Sequence, residues 1–330
     1  MDAIDKLFSQ FETKRILVVG DVMIDAYVRG KVNRVSPEAP VPIVSLDKEE
    51  DRLGGAANVA LNLVALGAKP VICSVVGNDR HAKDLQRLLT ESGISGDGLI
   101  YSQDRQTTVK TRVIGNNQQL LRIDSEQTDP ISAEEEKVLV ERIAELLKNE
   151  VDAVIFEDYN KGVLTPTVIE AVIAESNKQN IPTTVDPKKD NFFAYKGVTL
   201  FKPNLKELKE GLNKLVKFDP VDKTNFEDAV TELEEKLNNK ISFVTLSEHG
   251  VFIRDGQHQH YAEAHPRTIS DVSGAGDTVI AVATLCLAAG ISVEQIAEMA
   301  NIAGGLVCET SGVVPVDKEQ LRSEVKRLLK

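Results

Sequence analysis

Cysteine is scarce in this 330-residue chain: Cys73, Cys286 and Cys308 are far apart and none stands in a Cys-x-x-Cys spacing. That pattern offers neither a disulfide framework nor a cysteine zinc site, and is read as three small buried hydrophobes. Long apolar runs are missing as well. No stretch reaches the roughly 18 apolar residues of a membrane span, and residues 1–15 are charged and amphipathic, without the apolar segment of a secretion signal. An odd cysteine count without such a signal suits a reducing compartment, so the expected location is cytoplasmic. Positive charge is in deficit, with 39 Lys and Arg against 51 Asp and Glu and a net charge of -12. This argues against a nucleic-acid partner, which usually meets a basic face. It does not argue against an anionic ligand, because a local pocket of amides and cations can oppose the global field.

The chain is long enough for one large α/β domain or two smaller ones. Ile16-Leu-Val-Val-Gly20 is a β-branched run ending in Gly-Asp, as a buried parallel strand would. Similar runs recur at 70–76, 151–156, 183–185 and 242–246, and helical periodicity fills 56–66, 82–91, 134–148, 167–179 and 226–237. Strands alternating with helices predict βαβ units and a mostly parallel sheet covered on both faces. Ligands of such sheets gather beyond the carboxyl ends of the strands. Two segments break the rhythm: 28–46 and 98–124 alternate with period two and carry turns such as Gly115-Asn-Asn117. They predict a small antiparallel flap, a lid inserted in a single domain spanning 1–330. Such a sheet has one face without a core, so it closes over a ligand or packs on a second copy of itself.

The sharpest chemical signal is Asp271-Val-Ser-Gly-Ala-Gly-Asp-Thr278, leading into an apolar helix. Gly274, Ala275 and Gly276 let successive N–H groups point at one spot at a helix N-terminus, where anions are favoured. Phosphoryl transfer needs such a cradle for the charge spread over the transferring group. Asp277 sits in the first helical turn beside it and is placed to take the proton of an attacking hydroxyl. The plainer reading is an acidic cap on a helix packed through its glycines.

These residues resemble the C-terminal signature of the PfkB-type, or ribokinase-like, carbohydrate kinases. Gly54-Gly-Ala-Ala-Asn58, Leu66-Gly-Ala68 and Gly77-Asn-Asp79 are similar to that family's other signature. Lys202-Pro-Asn204-Leu-Lys-Glu207 resembles its Asn-x-x-Glu element, and Val244-Thr-Leu-Ser-Glu-His-Gly250 its nucleotide-binding strand and turn. The likeness runs in order from about residue 16 to about residue 315. Gly20-Asp-Val-Met-Ile-Asp25, Ser36-Pro-Glu-Ala-Pro-Val-Pro42, Asn116-Asn-Gln-Gln-Leu-Leu-Arg-Ile-Asp124, Asp158-Tyr-Asn-Lys-Gly162 and Asp186-Pro-Lys188 resemble one branch, the heptose-7-phosphate kinases. Members of that branch are often fused to an adenylyltransferase with a His-x-Gly-His motif. This sequence contains no such motif, so the resemblance implies the kinase alone.

The resemblance implies a three-layer ribokinase-like α/β sandwich that uses ATP and Mg²⁺ on a sugar phosphate, with a homodimer formed through the flap. It places Asp25, Gly54, Gly55 and Asn58 at the sugar. Thr245, Ser247, Gly250 and Asp271 fall at the nucleotide, and Asn204 and Glu207 at both nucleotide and metal. An amide and a carboxylate one helical turn apart suit a hydrated Mg²⁺, and Asn-Leu-Lys-Glu equally fits a helix capping box. Asp25 alone stays open between cap and ligand, and Gly54-Gly55 also fits a plain turn. Arg112, Arg122, Arg34 and Lys161 are candidates to clamp a substrate phosphate, with Asp158 beside Lys161, because guanidinium forks suit that anion. Gln257-His-Gln-His260 resembles a metal site, but it falls on an expected edge strand with no carboxylate cluster in view. The implied reaction transfers the γ-phosphate of ATP to the anomeric hydroxyl of a heptose 7-phosphate. The alternatives are a kinase for another sugar, such as fructose or a hexose phosphate, and a non-catalytic sensor on the same fold.

Overall fold

The computed structural model describes residues 2–256 and 258–329. The chain opens with helix α1 (Ala3–Phe11) and the central strand β1 (Arg15–Gly20), followed at once by the long hairpin β2 (Val22–Val35) and β3 (Pro42–Gly55). Helix α2 (Ala56–Ala65), β4 (Lys69–Gly77), α3 (Arg80–Glu91) and β5 (Ser95–Ser102) come next. A second hairpin, β6 (Val109–Gly115) and β7 (Gln118–Ser125), precedes α4 (Ala133–Leu147) and β8 (Ala153–Glu157). The chain continues through α5 (Pro166–Lys178), β9 (Thr183–Asp186), β10 (Leu200–Phe201), α6 (Leu205–Leu212) and α7 (Thr224–Leu237). Strands β11 (Ile241–Thr245), β12 (Val251–Asp255) and β13 (His258–Ala262) then lead to α8 (Ala275–Ala288), α9 (Val293–Cys308) and α10 (Lys318–Leu328).

Nine strands form the main sheet, in the order β13-β12-β11-β10-β9-β8-β1-β4-β5. All neighbours are parallel except β11 with β12 and β12 with β13. Alternation along β1 divides the core between the two faces. Ile16 and Val18 join one apolar cluster with α2, α8 and α9, while Leu17 and Val19 join the other with α4, α5 and α7. Helix α8 is apolar nearly all round, and every residue from Asp277 to Cys286 is buried, as expected of a helix inside a layer rather than on one. All three cysteines are free and buried.

Topology decides where the site can lie. The chain runs from β1 outward through β4 and β5, then returns to the other side of β1 as β8 and β9. The direction of winding therefore reverses between β1 and β8, and crevices of this kind open at the carboxyl ends of the strands there. Gly20 pairs with Glu157 at that point, and a Cβ on Gly20 would collide with the Glu157 carbonyl oxygen.

The flap differs from its expected outline in three respects. Its sheet, ordered β3-β2-β6-β7, is mixed, because β2 and β6 run parallel while the two hairpins are antiparallel. It begins at Val22, before residue 28, since the apolar start of β2 packs into the core. Residues 98–102 belong to β5 at the edge of the main sheet, paired with β4. Strand β13 is an edge strand as expected, and among the described residues a single carboxylate, not a cluster, bonds to its histidines. Glu298 on α9 lies 2.8 Å from His260 Nε2, and Gln257 falls outside the described residues.

Candidate active site

Strand ends deliver the first set of groups. Asp21 follows β1 and is buried, with its carboxylate accepting backbone N–H bonds from Tyr159 (2.9 Å), Lys161 (3.1 Å) and Val163 (3.1 Å). Burial, with Asp158 adding to it, pushes this carboxyl up to about 6 despite those amides. Asp158 is fully buried. Its oxygens accept from Asn160 N and Tyr195 Oη, each at 2.8 Å, so it shapes the turn instead of facing a substrate. Together the two aspartates fix the loop that presents Tyr159.

Asp277 is the meeting point. Gly274 (φ +80°) caps α8, and side chains already crowd the space beside it: a Cβ there would lie 3.0 Å from Val313 Cγ1 and 3.2 Å from Asn58 Nδ2. Three residues on, Asp277 is buried. Its Oδ2 accepts from Asn58 Nδ2 at 2.6 Å and its Oδ1 from the Tyr159 hydroxyl at 3.0 Å. Burial raises its carboxyl to about 6, with Asp186 adding to the rise while Asn58, Tyr159 and Lys202 restrain it. It is thus ionised at neutral pH yet close to the pH at which a general base works best.

Around it, Glu157, Asp186 and Asp277 bring carboxylate oxygens within 4.8 Å of one another. The three differ in environment. Burial works to raise Asp186, but Lys202 at 2.8 Å and Lys188 at 3.8 Å outweigh it and hold that carboxyl below its usual range. Glu157 is buried with neither oxygen hydrogen-bonded, and burial plus its two acidic neighbours push it well up, favouring the neutral acid.

On the flap side, Asp25 on β2 is ion-paired with Arg112 on β6. Gly54 and Gly55 are needed for space: a Cβ on Gly54 would collide with Asp25 Oδ2, and Gly55 adopts φ +59°. Asp25, Tyr27, Arg52, Asn58 and Val313 line a cavity of about 380 Å³, and Asn58 links its wall to Asp277 by their hydrogen bond. Arg122 is held by Asp124 through bonds of 2.7 and 2.8 Å on an exposed strand, and Lys161 by Glu126 at 2.8 Å. Arg34 is exposed near the far end of the β2–β3 hairpin, away from its base.

Thr245, Ser247 and Gly250 share a cavity of about 630 Å³ with Asn301 and with Ala275 and Gly276, the two residues before Asp277. Asp271 ties two loops together, accepting from Ser273 N (2.9 Å) and Gly312 N (3.0 Å). Asn204 and Glu207 form a capping box on α6, and the second Glu207 oxygen takes Lys188 at 2.8 Å. A roomier cavity of about 750 Å³, between the flap and α3, touches none of the residues expected from sequence. The residues that sequence reasoning left without a role are Tyr159, Asp186, Lys202, Asp21 and Glu157. Each lies inside or beside a quoted motif, and its role depends on folding contacts that no spacing reveals.

The arrangement is a base at a helix N-terminus whose partner Asn58 lines one cavity and whose neighbours Ala275 and Gly276 line another, which suits transfer of a group from one bound molecule to another. The family described as pfkB family carbohydrate kinase matches residues 13–319. Among curated proteins, the chain is 41% identical over 311 residues to the bifunctional protein HldE of Methylobacillus flagellatus, covering 94% of this chain and 63% of that protein. It is 40% identical over 316 residues to the HldE of Sulfurimonas denitrificans, covering 96% and 65%. The chain thus spans less than two thirds of the length of these relatives. In fold it is similar to Escherichia coli phosphofructokinase-2 in complex with potassium (TM-score 0.78, 19% identity, 96% and 99% covered). It is also similar to Arabidopsis thaliana ribokinase complexed with ribose and ATP (TM-score 0.70, 18% identity, 94% and 99% covered).

Proposed function

The chain belongs to the pfkB family of carbohydrate kinases, and from that premise we propose that it transfers the γ-phosphate of ATP to the anomeric hydroxyl of a heptose 7-phosphate, giving the 1,7-bisphosphate. The observation that carries the reading is Asp277. It is a buried carboxylate held by Asn58 and Tyr159 at the mouth of α8, its partner Asn58 lining the flap-side cavity and its neighbour Gly276 lining the second. The heptose acceptor is supported by the branch-like strings at 20–25, 36–42, 158–162 and 186–188, and by the identity to the HldE proteins over nearly the whole chain.

In this reading the sugar lies against Asp25 and Asn58, and ATP lies in the cavity of Thr245, Ser247 and Gly250 with its γ-phosphate at the amides of 274–277. Asp277 Oδ takes the proton from the attacking hydroxyl as the oxygen–phosphorus bond forms and the bond to ADP breaks. Asn204 and Glu207 offer the hard oxygen donors that suit Mg²⁺, and they would hold it. When bound, Mg²⁺ neutralises charge on the transferring group. Closure of the flap would exclude the water that otherwise hydrolyses ATP. Leu46, Leu121 and Ile123 leave large apolar side chains exposed on the flap strands, which supports its pairing with a second copy. Among the described residues, no helix is long and apolar enough to cross a membrane.

A coupled assay of ADP release with ATP and Mg²⁺ tests this across D-glycero-D-manno-heptose 7-phosphate, fructose, fructose 6-phosphate and ribose. Strong preference for the heptose phosphate is the expected result. Preference for another sugar discards the heptose but keeps the kinase, and no turnover with any sugar defeats the catalytic reading.

A further inference from the structure

The flap carries a cluster of cations that the motifs did not single out. Residues two apart on a strand share a face, and strand register sets Tyr27 between Glu50 and Arg112, with Asp25 opposite Arg52. Three guanidinium groups surround the Tyr27 ring: those of Arg29, Arg52 and Arg112 lie 5.5, 5.1 and 5.3 Å from its centroid. Each is within cation–π range, yet three like charges around one ring repel one another. Asp25 answers Arg112, and Glu50 is shared by Arg52 and Lys48. Arg29 has no carboxylate within 4.0 Å among the described residues. Asp51 lines the same cavity wall as Arg52, so four cations against three carboxylates leave this patch at +1, in a chain whose net charge is -12. The patch opens on the acceptor cavity, because Tyr27 and Arg52 line it together with Asp25 and Asn58.

We infer that Arg29, Arg52 and Arg112, gathered on the Tyr27 ring, form the subsite for a phosphate monoester on the acceptor and make the enzyme select sugar phosphates over free sugars. The inference rests on the kinase reading and deepens it. A phosphate monoester carries about -1.5 to -2 charges at neutral pH, which complements the patch. Guanidinium forks take phosphate oxygens in pairs, and stacking on an aromatic face costs them none of their N–H donors. Of the other basic candidates, Arg122 is engaged with Asp124 and Lys161 with Glu126, and Arg34 is exposed near the far end of the β2–β3 hairpin. Arg29 is the cation of the patch left without a carboxylate among the described residues, Arg52 reaches the cavity wall, and Arg112 joins the anion site to Asp25 at the sugar.

The test uses Arg29→Gln, Arg52→Gln and the double variant, which keep side-chain bulk. One readout is the ratio of kcat/KM for D-glycero-D-manno-heptose 7-phosphate to that for the unphosphorylated heptose. The other is calorimetric binding of inorganic phosphate with the nucleotide pocket filled by ADP. The double variant is expected to lower the ratio about 100-fold, through KM rather than kcat, and to weaken phosphate binding about tenfold or more. A ratio within about threefold of wild type, with phosphate bound as before, overturns the subsite. If the wild type turns over only free sugars, the subsite falls together with the sugar-phosphate acceptor, while the kinase reading stands. If phosphate binding ignores both substitutions and no sugar is turned over, both readings fail.

Discussion

Replacing Asp277 by Asn exchanges one carboxylate oxygen for an NH₂ group without changing shape, in a place where the charge is costly. Burial is the chief reason its carboxyl stands at about 6 instead of 3.8. A shift of about 2 units corresponds to ~3 kcal/mol of disfavour for the ionised form. The sign follows from linkage. Between pH 3.8 and about 6 the folded chain binds a proton that the unfolded chain has released, so stability falls as pH rises through that window. Above it the full cost is present, and below pH 3.8 it is absent. The Asp277→Asn substitution removes the cost and keeps both contacts, since Asn58 can still donate to the remaining oxygen and the Tyr159 hydroxyl can accept from the new amide. With an unfolding entropy of about 2.1 cal/mol/K per residue, a chain of 330 residues gains about 4 °C in Tm at pH 7.5. At pH 4 the gain largely vanishes. Turnover moves the other way: losing the general base is expected to cost about 10²–10⁴-fold in kcat. Differential scanning fluorimetry at the two pH values and steady-state ADP release measure the two effects on one preparation. A variant less stable than wild type at pH 7.5, or with turnover within about tenfold of it, would refute the reasoning.

Three other outcomes follow from the same geometry. The pH profile of kcat/KM should fall about tenfold per unit below about pH 6, as Asp277 takes up a proton and ceases to be a base; a flat profile down to pH 5 would assign the proton to another group. Gly54→Ala should push Asp25 off Arg112, because its Cβ collides with Asp25 Oδ2, raising KM for the sugar about tenfold more than it changes kcat. Glu157→Gln should leave kcat within about threefold of wild type, because burial already favours the neutral acid there; a loss of about 30-fold would show that an ionised Glu157 is needed.

What could be read in advance depended on how locally each feature is encoded. β1, β4, β8, β9 and β11 are buried on both faces, so each shows as an unbroken β-branched run, and the helices between them show their period. β10 has only two residues and leaves no pattern. β5 includes Gly96 and Gly98, and a Cβ on Gly98 would crowd Cys73 of β4, so packing on a neighbour, not alternation, made it a sheet edge. The start of β2 hid in the string Val22-Met-Ile24, which is apolar without alternation because it packs into the core. In the site, Asp277 and Asn58 were legible from their glycine-rich contexts, and the structure joins them at 2.6 Å. Tyr159 was not, because its hydroxyl meets Asp277 only after a loop is pinned to Asp21 from β1. The capping box of Asn204 and Glu207 was legible as local chemistry, being closed within four residues.

The central claim is that Asp277 directs phosphate from ATP onto the anomeric oxygen of a sugar phosphate. The most direct measurement is ³¹P NMR of the product formed from ATP, Mg²⁺ and D-glycero-D-manno-heptose 7-phosphate, with wild type and Asp277→Asn side by side. The account predicts a new anomeric phosphate resonance beside the retained 7-phosphate, growing with ADP for the wild type and nearly absent for the variant. ADP appearing with free inorganic phosphate and no sugar bisphosphate, or a variant that makes the same product at the wild-type rate, would contradict it.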